Sequence, residues 1–186
     1  MVKQLLADHG LSDKASGGLS GYGCFLVVDC FLVWHARTMR KLQRGEQPSW
    51  LGDDVASDSD EEFDDDDGRR DGEEVEEGCS LGWLLLAFLE QHATLVDCRR
   101  LAFTPKGYMR RTDGDNEALP PAMVVTDPAA ASVAGQKQAV GNVARGLYRL
   151  SHLEGVLGLA WQCLGRGDGL AAVLTSRPVP QCRHLQ

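Results

Sequence analysis

The sequence predicts a mainly α-helical (α+β) domain with a small β-hairpin or short sheet, interrupted by an acidic insert expected to be disordered. Three observations carry that expectation. Apolar stretches near 19–41, 80–92 and 142–164 either run unbroken or repeat at three- and four-residue steps. Short strand-like runs fall between the last two, at 98–110 and 123–128. Between Asp53 and Glu77 stand fifteen Asp/Glu and two Arg, a run that cannot bury enough apolar surface to fold.

Taken in order, residues 1–9 read as a helix stub with Val2, Leu5 and Leu6 on one side and Lys3 on another. A loop at 10–18 leads into a helix from about Leu19 to Lys41. Its apolar run is continuous to Trp34, which implies burial on most sides, and it ends on Arg37, Arg40 and Lys41, cations suited to a helix C-terminus. Residues 45–78 form the insert, where Pro48 and Gly52 break structure. Ser57 and Ser59 lie in an acidic context that a kinase would favour, and Asp58 with Asp60 reads as part of a solvated charge run. Ser80 is an N-cap for a helix whose apolar face carries Leu81, Leu84, Leu85, Phe88 and Leu89. CRRLAF (98–103), a turn at 104–107 with Pro105, and a return at 108–110 make a hairpin. MVVTDP (123–128) makes a further short strand closed by Asp127–Pro128. Residues 129–140 are alanine-rich and carry little signal. Val143, Leu147, Leu150, Leu157, Trp161 and Leu164 predict a last helix from about Asn142, and 165–186 reads as a weakly ordered tail.

At 186 residues with 43% hydrophobic content the chain suits one domain, or a domain plus appendages, with a real core. The net charge of −8 is unevenly held: 53–77 carries −13, and the rest has 17 Lys/Arg against 12 Asp/Glu, or +5. A mildly basic folded part permits nucleic-acid binding without demonstrating it. The six cysteines are scattered, none in a CxxC pair and no His at zinc-ligand spacing, which argues against metal chelation. Three of them sit among apolar residues and read as reduced core thiols, so an intracellular protein is expected. Cys24–Trp34 is too short to span a bilayer and contains Asp29, and MVKQLLADHG is neither a signal nor a transit peptide.

The stretch from Gly17 to Tyr22, GGLSGY, is the candidate functional element. Glycines let a backbone turn sharply and approach a ligand, and the helix that follows offers N–H groups and a positive dipole end to an anion. By local grammar alone it also fits a loop that simply starts a buried helix.

Five motifs in order make the chain resemble the central, helical half of a noncanonical poly(A) RNA polymerase, a terminal nucleotidyltransferase of the nuclear RNA-surveillance branch. Val2-Lys3-Gln4-Leu5-Leu6 resembles the family's VLKQFL helix, and Gly17-Gly18-Leu19-Ser20-Gly21-Tyr22 its GG(I/L)xSY loop. Leu81-Gly82-Trp83-Leu84-Leu85 with Phe88 and Leu89 resembles LGVLLIEFFE. Val125-Thr126-Asp127-Pro128 resembles IEDP, and Asn142-Val143-Ala144-Arg145 the N(D)(V/I)(G/S)R turn of the PAP-associated region. The likeness covers 1–44 and 79–164.

What the resemblance implies is a nucleotide cleft. Lys3 would contact the triphosphate, Ser20 and Gly21 would line the loop, and Tyr22 would stack on the base. Asp127, Asn142 and Arg145 would belong to base recognition. Where Gly21 stands the family usually has Ser, so a hydroxyl contact is lost. Gly141 stands where uridine-adding relatives often have His, which points to adenine. Plainer readings stay open: Lys3 as a solvated helix residue, Tyr22 as a core aromatic, Asp127 as a turn cap before Pro128, Asn142 as the N-cap of the last helix, and Arg145 as a local ion-pair partner.

The resemblance also implies Mg²⁺ and ATP for the complete enzyme, an RNA 3′ end as substrate, and as partners a zinc-knuckle RNA-binding subunit and a helicase, in the nucleus. The two-metal carboxylates of such enzymes belong to a domain preceding the Lys3 helix, so no catalytic residue and no metal ligand is assigned here, and this chain alone is expected to be inactive. Three readings follow: the nucleotide- and RNA-binding half of a poly(A) polymerase, a non-catalytic RNA- or protein-binding relative acting as a regulatory or scaffold subunit, and an unrelated helical scaffold.

Overall fold

A computed structural model describes residues 1–46, 80–111, 122–129 and 141–168. The acidic run, with Ser57, Asp58, Ser59 and Asp60, lies outside the described residues, as do most of 129–140 and the tail beyond Asp168. The described residues form four helices and a small mixed sheet.

Helix α1 (Val2–Asp8) buries Leu5 and Leu6 and leaves Lys3 exposed, as its pattern predicts. Helix α2 (Gly21–Gln43) is the axis of the fold, about 33 Å long at 1.5 Å per residue. Ser20 caps it, its Oγ accepting the Gly23 N–H at 3.1 Å. It ends where Gly45, at φ +75°, lets Gly45 N–H and Glu46 N–H reach back to the Leu42 and Lys41 carbonyls. The helix buries Cys24, Leu26, Val27, Cys30, Phe31 and Thr38. Its apolar run is buried or half-buried on most sides, as expected, and opens to solvent along one narrow face at Tyr22, Phe25 (62% exposed) and Leu32.

Ser80 caps helix α3 (Leu81–Thr94) through the Trp83 N–H, but the first turn projects outward: Leu81 is 84% exposed and the buried residues begin at Phe88. Strands β1 (Leu101–Thr104) and β2 (Gly107–Arg110) form the predicted hairpin, with Thr104 opposite Gly107. Gly107 sits at φ +104° and passes close to Trp34, which ties the hairpin to α2. Strand β3 (Val124–Val125) pairs parallel to β1, giving the order β2-β1-β3. That strand is shorter than the predicted 123–128, because Thr126 turns to bridge Asn142.

Helix α4 (Leu150–Gly165) packs chiefly on α3 and buries Leu150, Leu153, Val156, Leu157 and Ala160. It starts eight residues later than the sequence predicts. Val143 and Leu147 are buried, but from turns, so their helical spacing is not helical backbone. Asn142 is therefore not its N-cap; Arg149 holds that position. One apolar cluster joins all the elements, with Leu6, Leu11, Cys30, Phe31, Leu89, Phe103, Met123 and Val125 at its centre. Phe31 meets Phe88 edge-on at 5.3 Å. No helix of the described residues is long and apolar enough to cross a membrane.

Candidate functional site

The glycine pair before α2 is required by the protein's own packing. Gly17, at φ +78°, lies against the ring of Tyr148, where a Cβ would overlap the aromatic carbons. A Cβ on Gly18 would strike the Leu11 carbonyl, and the Leu19 N–H bonds that same oxygen at 2.7 Å. Arg149 locks the loop from outside, its Nη1 donating to the Gly10 carbonyl at 3.2 Å and its backbone N–H to the Gly17 carbonyl at 3.2 Å. The close approaches that the two glycines permit are thus to Tyr148 and to Leu11.

Beyond the cap the site opens. The Lys3 side chain lies over Gly21, with Cε 3.4 Å and Nζ 3.6 Å from where a Cβ would stand. Gly21 and Tyr22 begin α2, and neither backbone N–H has a hydrogen-bond acceptor among the described residues. The Tyr22 ring is 46% exposed, and its hydroxyl donates to Asp127 Oδ1 at 2.9 Å. This bond and the neighbouring carboxylate push the phenol up from its ordinary pKa, the bond being the larger cause. Asp127 Oδ1 also accepts the Ala129 N–H at 2.9 Å, an Asx turn across Pro128, while its backbone N–H bonds the Gly141 carbonyl at 3.0 Å.

Asn142 braces this corner. Its Oδ1 accepts the N–H of Val125 at 3.0 Å and of Ala144 at 2.9 Å, and its Nδ2 donates to the Met123 carbonyl at 3.0 Å. Among the described residues no further strand pairs with β3, and the carboxamide extends its ladder there, which positions Asp127 two residues beyond the strand. Six of the seven residues that the resemblance marks therefore fall around the start of α2 and the end of β3: Lys3, Ser20, Gly21, Tyr22, Asp127 and Asn142. Arg145 is exposed on the 141–149 turn, its side chain in no hydrogen bond or ion pair among the described residues. Sequence reasoning missed Tyr148 and Arg149, whose roles depend on a loop about 130 residues earlier; a lone Tyr-Arg pair has no local signature.

The plainer readings now sort themselves. Tyr22 is not a core aromatic: nearly half of it faces solvent. Asp127 is a turn cap, and it serves the Tyr22 hydroxyl at the same time.

Away from this corner, the titratable groups of the core are built to stay neutral. His92 is buried, its Nδ1–H donating to the Phe88 carbonyl at 2.8 Å, which leaves Nε2 to accept from the Tyr108 hydroxyl at 3.2 Å. Burial pulls its pKa down to about 4 and pushes the Tyr108 phenol well above the usual range. Burial likewise raises the Cys30 and Cys98 thiols to about 12, which suppresses thiolate chemistry.

For the Mg²⁺ that the resemblance implies, the residues present do not fit. No group of three His, Cys, Asp or Glu side chains converges among the described residues, and the Asp127 oxygen nearest the cleft is already bonded to Tyr22 and Ala129. What the corner offers is a partly exposed aromatic face, two unbonded N–H groups at a helix start and a nearby ammonium. That set suits an aromatic base carrying an anionic group.

No protein-family model matches this chain, and no curated protein matches it.

Proposed function

We propose that this chain is the nucleotide- and RNA-binding half of a template-independent poly(A) RNA polymerase, serving adenylyl transfer to RNA 3′ ends in nuclear RNA processing and surveillance. The observation that carries the reading is the 2.9 Å bond from the Tyr22 hydroxyl to Asp127. It joins the GGLSGY loop to the VTDP element across 105 positions of sequence, two motifs that the resemblance assigns to one cleft. Tyr22 presents its ring to the base, with Asp127 fixing its tilt. Lys3 and the α2 start take the phosphates, and Asn142 holds the recognition turn in place. Arg145 reaches the base or sugar from the neighbouring turn.

ATP is the nucleotide, and the RNA 3′ end the second substrate. Mg²⁺ and catalytic carboxylates would serve the complete enzyme. A zinc-knuckle RNA-binding subunit and a helicase are the partners that fit such a role.

A second reading is a non-catalytic RNA- or protein-binding relative. What favours it is Gly17 and Gly18, whose close approaches are filled by Tyr148 and Leu11 rather than left open to a ligand.

Titration calorimetry with ATP on the full chain separates them. The polymerase-half reading expects weak binding, on the order of millimolar, abolished in Tyr22→Ala, since base stacking supplies about 1–3 kcal/mol. Heats that are the same in wild type and Tyr22→Ala would remove the cleft.

A further inference from the structure

The far end of α2 meets the hairpin in a module of opposite character. Residues 37–46 and 97–111 hold nine Lys/Arg and two Asp/Glu, a net +7 that exceeds the +5 of everything outside 53–77. The structure joins the two segments. Arg37 Nη1 donates to the Lys106 carbonyl at 2.6 Å, and Gly107 and Tyr108 pack on Trp34. The last turns of α2 thereby sit on the hairpin's turn end.

The open end of the hairpin concentrates charge further. Antiparallel register puts Leu101 opposite Arg110, and the Arg111 N–H bonds the Arg100 carbonyl at 2.9 Å, so Arg99-Arg100 on one arm of the hairpin and Arg110-Arg111 on the other stand side by side. Like charges opposite one another on a ladder destabilise it. Among the described residues, Arg99 and Arg100 meet their counter-charges only in exposed pairs. Asp97 lies 3.4 Å from Arg100, whose side chain is 85% exposed, and Glu154 lies 3.9 Å from Arg99. Pairs this exposed contribute at most about 1 kcal/mol. The hairpin's two ends are only about 10 Å apart at 3.3 Å per residue, within reach of one extended polyanion.

We infer that this module, through Arg37, Arg40, Arg44, Arg99, Arg100 and Arg110, is a binding surface for the phosphodiester backbone of single-stranded RNA, separate from the Tyr22 corner. Guanidinium forks match phosphate oxygens two at a time, which a face rich in arginine exploits better than one rich in lysine. Recognition here is of backbone charge, so it carries no base preference. The inference rests on the RNA reading above and adds where the strand lies.

The test uses the full chain with a fluorescent 20-nucleotide oligo(A), titrated between 50 and 200 mM salt. Arg40→Gln/Arg44→Gln/Arg110→Gln alters three exposed side chains that brace no other element. With about 0.7 counterions released per phosphate contact on a single strand, the triple variant should lower the slope of log K against log salt by about 2 and weaken binding roughly tenfold or more at 50 mM. Its ATP heats should match wild type, while Tyr22→Ala should lose ATP and keep the salt slope. An unchanged slope in the triple variant, or no salt-dependent binding of RNA at 50 mM, overturns the inference. Loss of the slope in the triple variant with Tyr22-independent ATP heats would keep this surface and remove the nucleotide cleft, so the two readings fail separately.

Discussion

The two ends of α2 are built on different physics. At its start, specific hydrogen bonds fix the polar side chains: Ser20 caps Gly23, Tyr22 bonds Asp127, and Asn142 braces Val125, Ala144 and Met123. At its finish, Arg40, Arg44, Arg99, Arg100 and Arg110 stand in solvent around the hairpin, Arg44, Arg99 and Arg100 in exposed ion pairs, while Arg37 is tied to the Lys106 carbonyl. The first arrangement is sensitive to single atoms and insensitive to salt. The second is the reverse. One helix therefore joins a corner fixed by specific hydrogen bonds to a surface rich in charge, and the two sites proposed above are held in register by the core between them.

Breaking that core gives the largest effect. Phe31 is fully buried midway along α2, against Phe88 and His92, so Phe31→Ala should cost about 3–5 kcal/mol and abolish both ends together in thermal unfolding followed by circular dichroism.

Acid comes next. His92 is neutral in the fold with its pKa near 4, while the unfolded chain takes up a proton near 6.5. The unfolded state thus binds more protons in that window, and stability falls as pH drops from about 6.5 to 4, by up to about 3 kcal/mol, and levels off below. His35 and His152, also lowered by burial, act in the same direction. Urea unfolding at a series of pH values should show the slope, and His92→Gln should flatten it. Because Nε2 accepts from Tyr108 in β2, the hairpin end should report the loss before the Tyr22 end does.

Gly17→Ala is directed at the start of α2 alone. A Cβ at φ +78° costs about 1–2 kcal/mol and overlaps Tyr148 as well. Melting Gly17→Ala in the wild-type and Tyr148→Ala backgrounds separates the collision, which the second change relieves, from the backbone strain, which it does not. RNA salt slopes should be unaffected in both.

The smallest effect sharpens the cleft. Gly21→Ser puts a Cβ 3.4 Å from the mobile end of Lys3, so stability should move by no more than about 0.5 kcal/mol. The added hydroxyl should tighten ATP binding several-fold in calorimetry, about the worth of one hydrogen bond.

What was legible in the sequence was local. Ser20 and Ser80 announce their helices because a cap needs only the next three residues, and Pro105–Lys106 between strand-like runs announces the hairpin. The parallel pairing of β3 with β1 was not legible, since the partners lie some twenty residues apart and nothing between them signals the crossing. The late start of α4 was misread for a physical reason: burial from successive turns repeats at nearly the spacing of a helix, and Val143 and Leu147 satisfy both. Of the candidate site, both the residues and their grouping in one cleft come from the resemblance, and local pattern carries neither. The Tyr22–Asp127 bond depends on where β3 ends, and β3 ends where Asn142's carboxamide takes over its ladder.

That one bond closes a ring of chain from Tyr22 to Asp127, with 47–79 and 112–121 lying inside it. The entropy of closing such a ring grows only with the logarithm of its length, about 0.6 kcal/mol for each doubling. Segments within it can lengthen, shorten or change composition while the two residues at the clasp still meet.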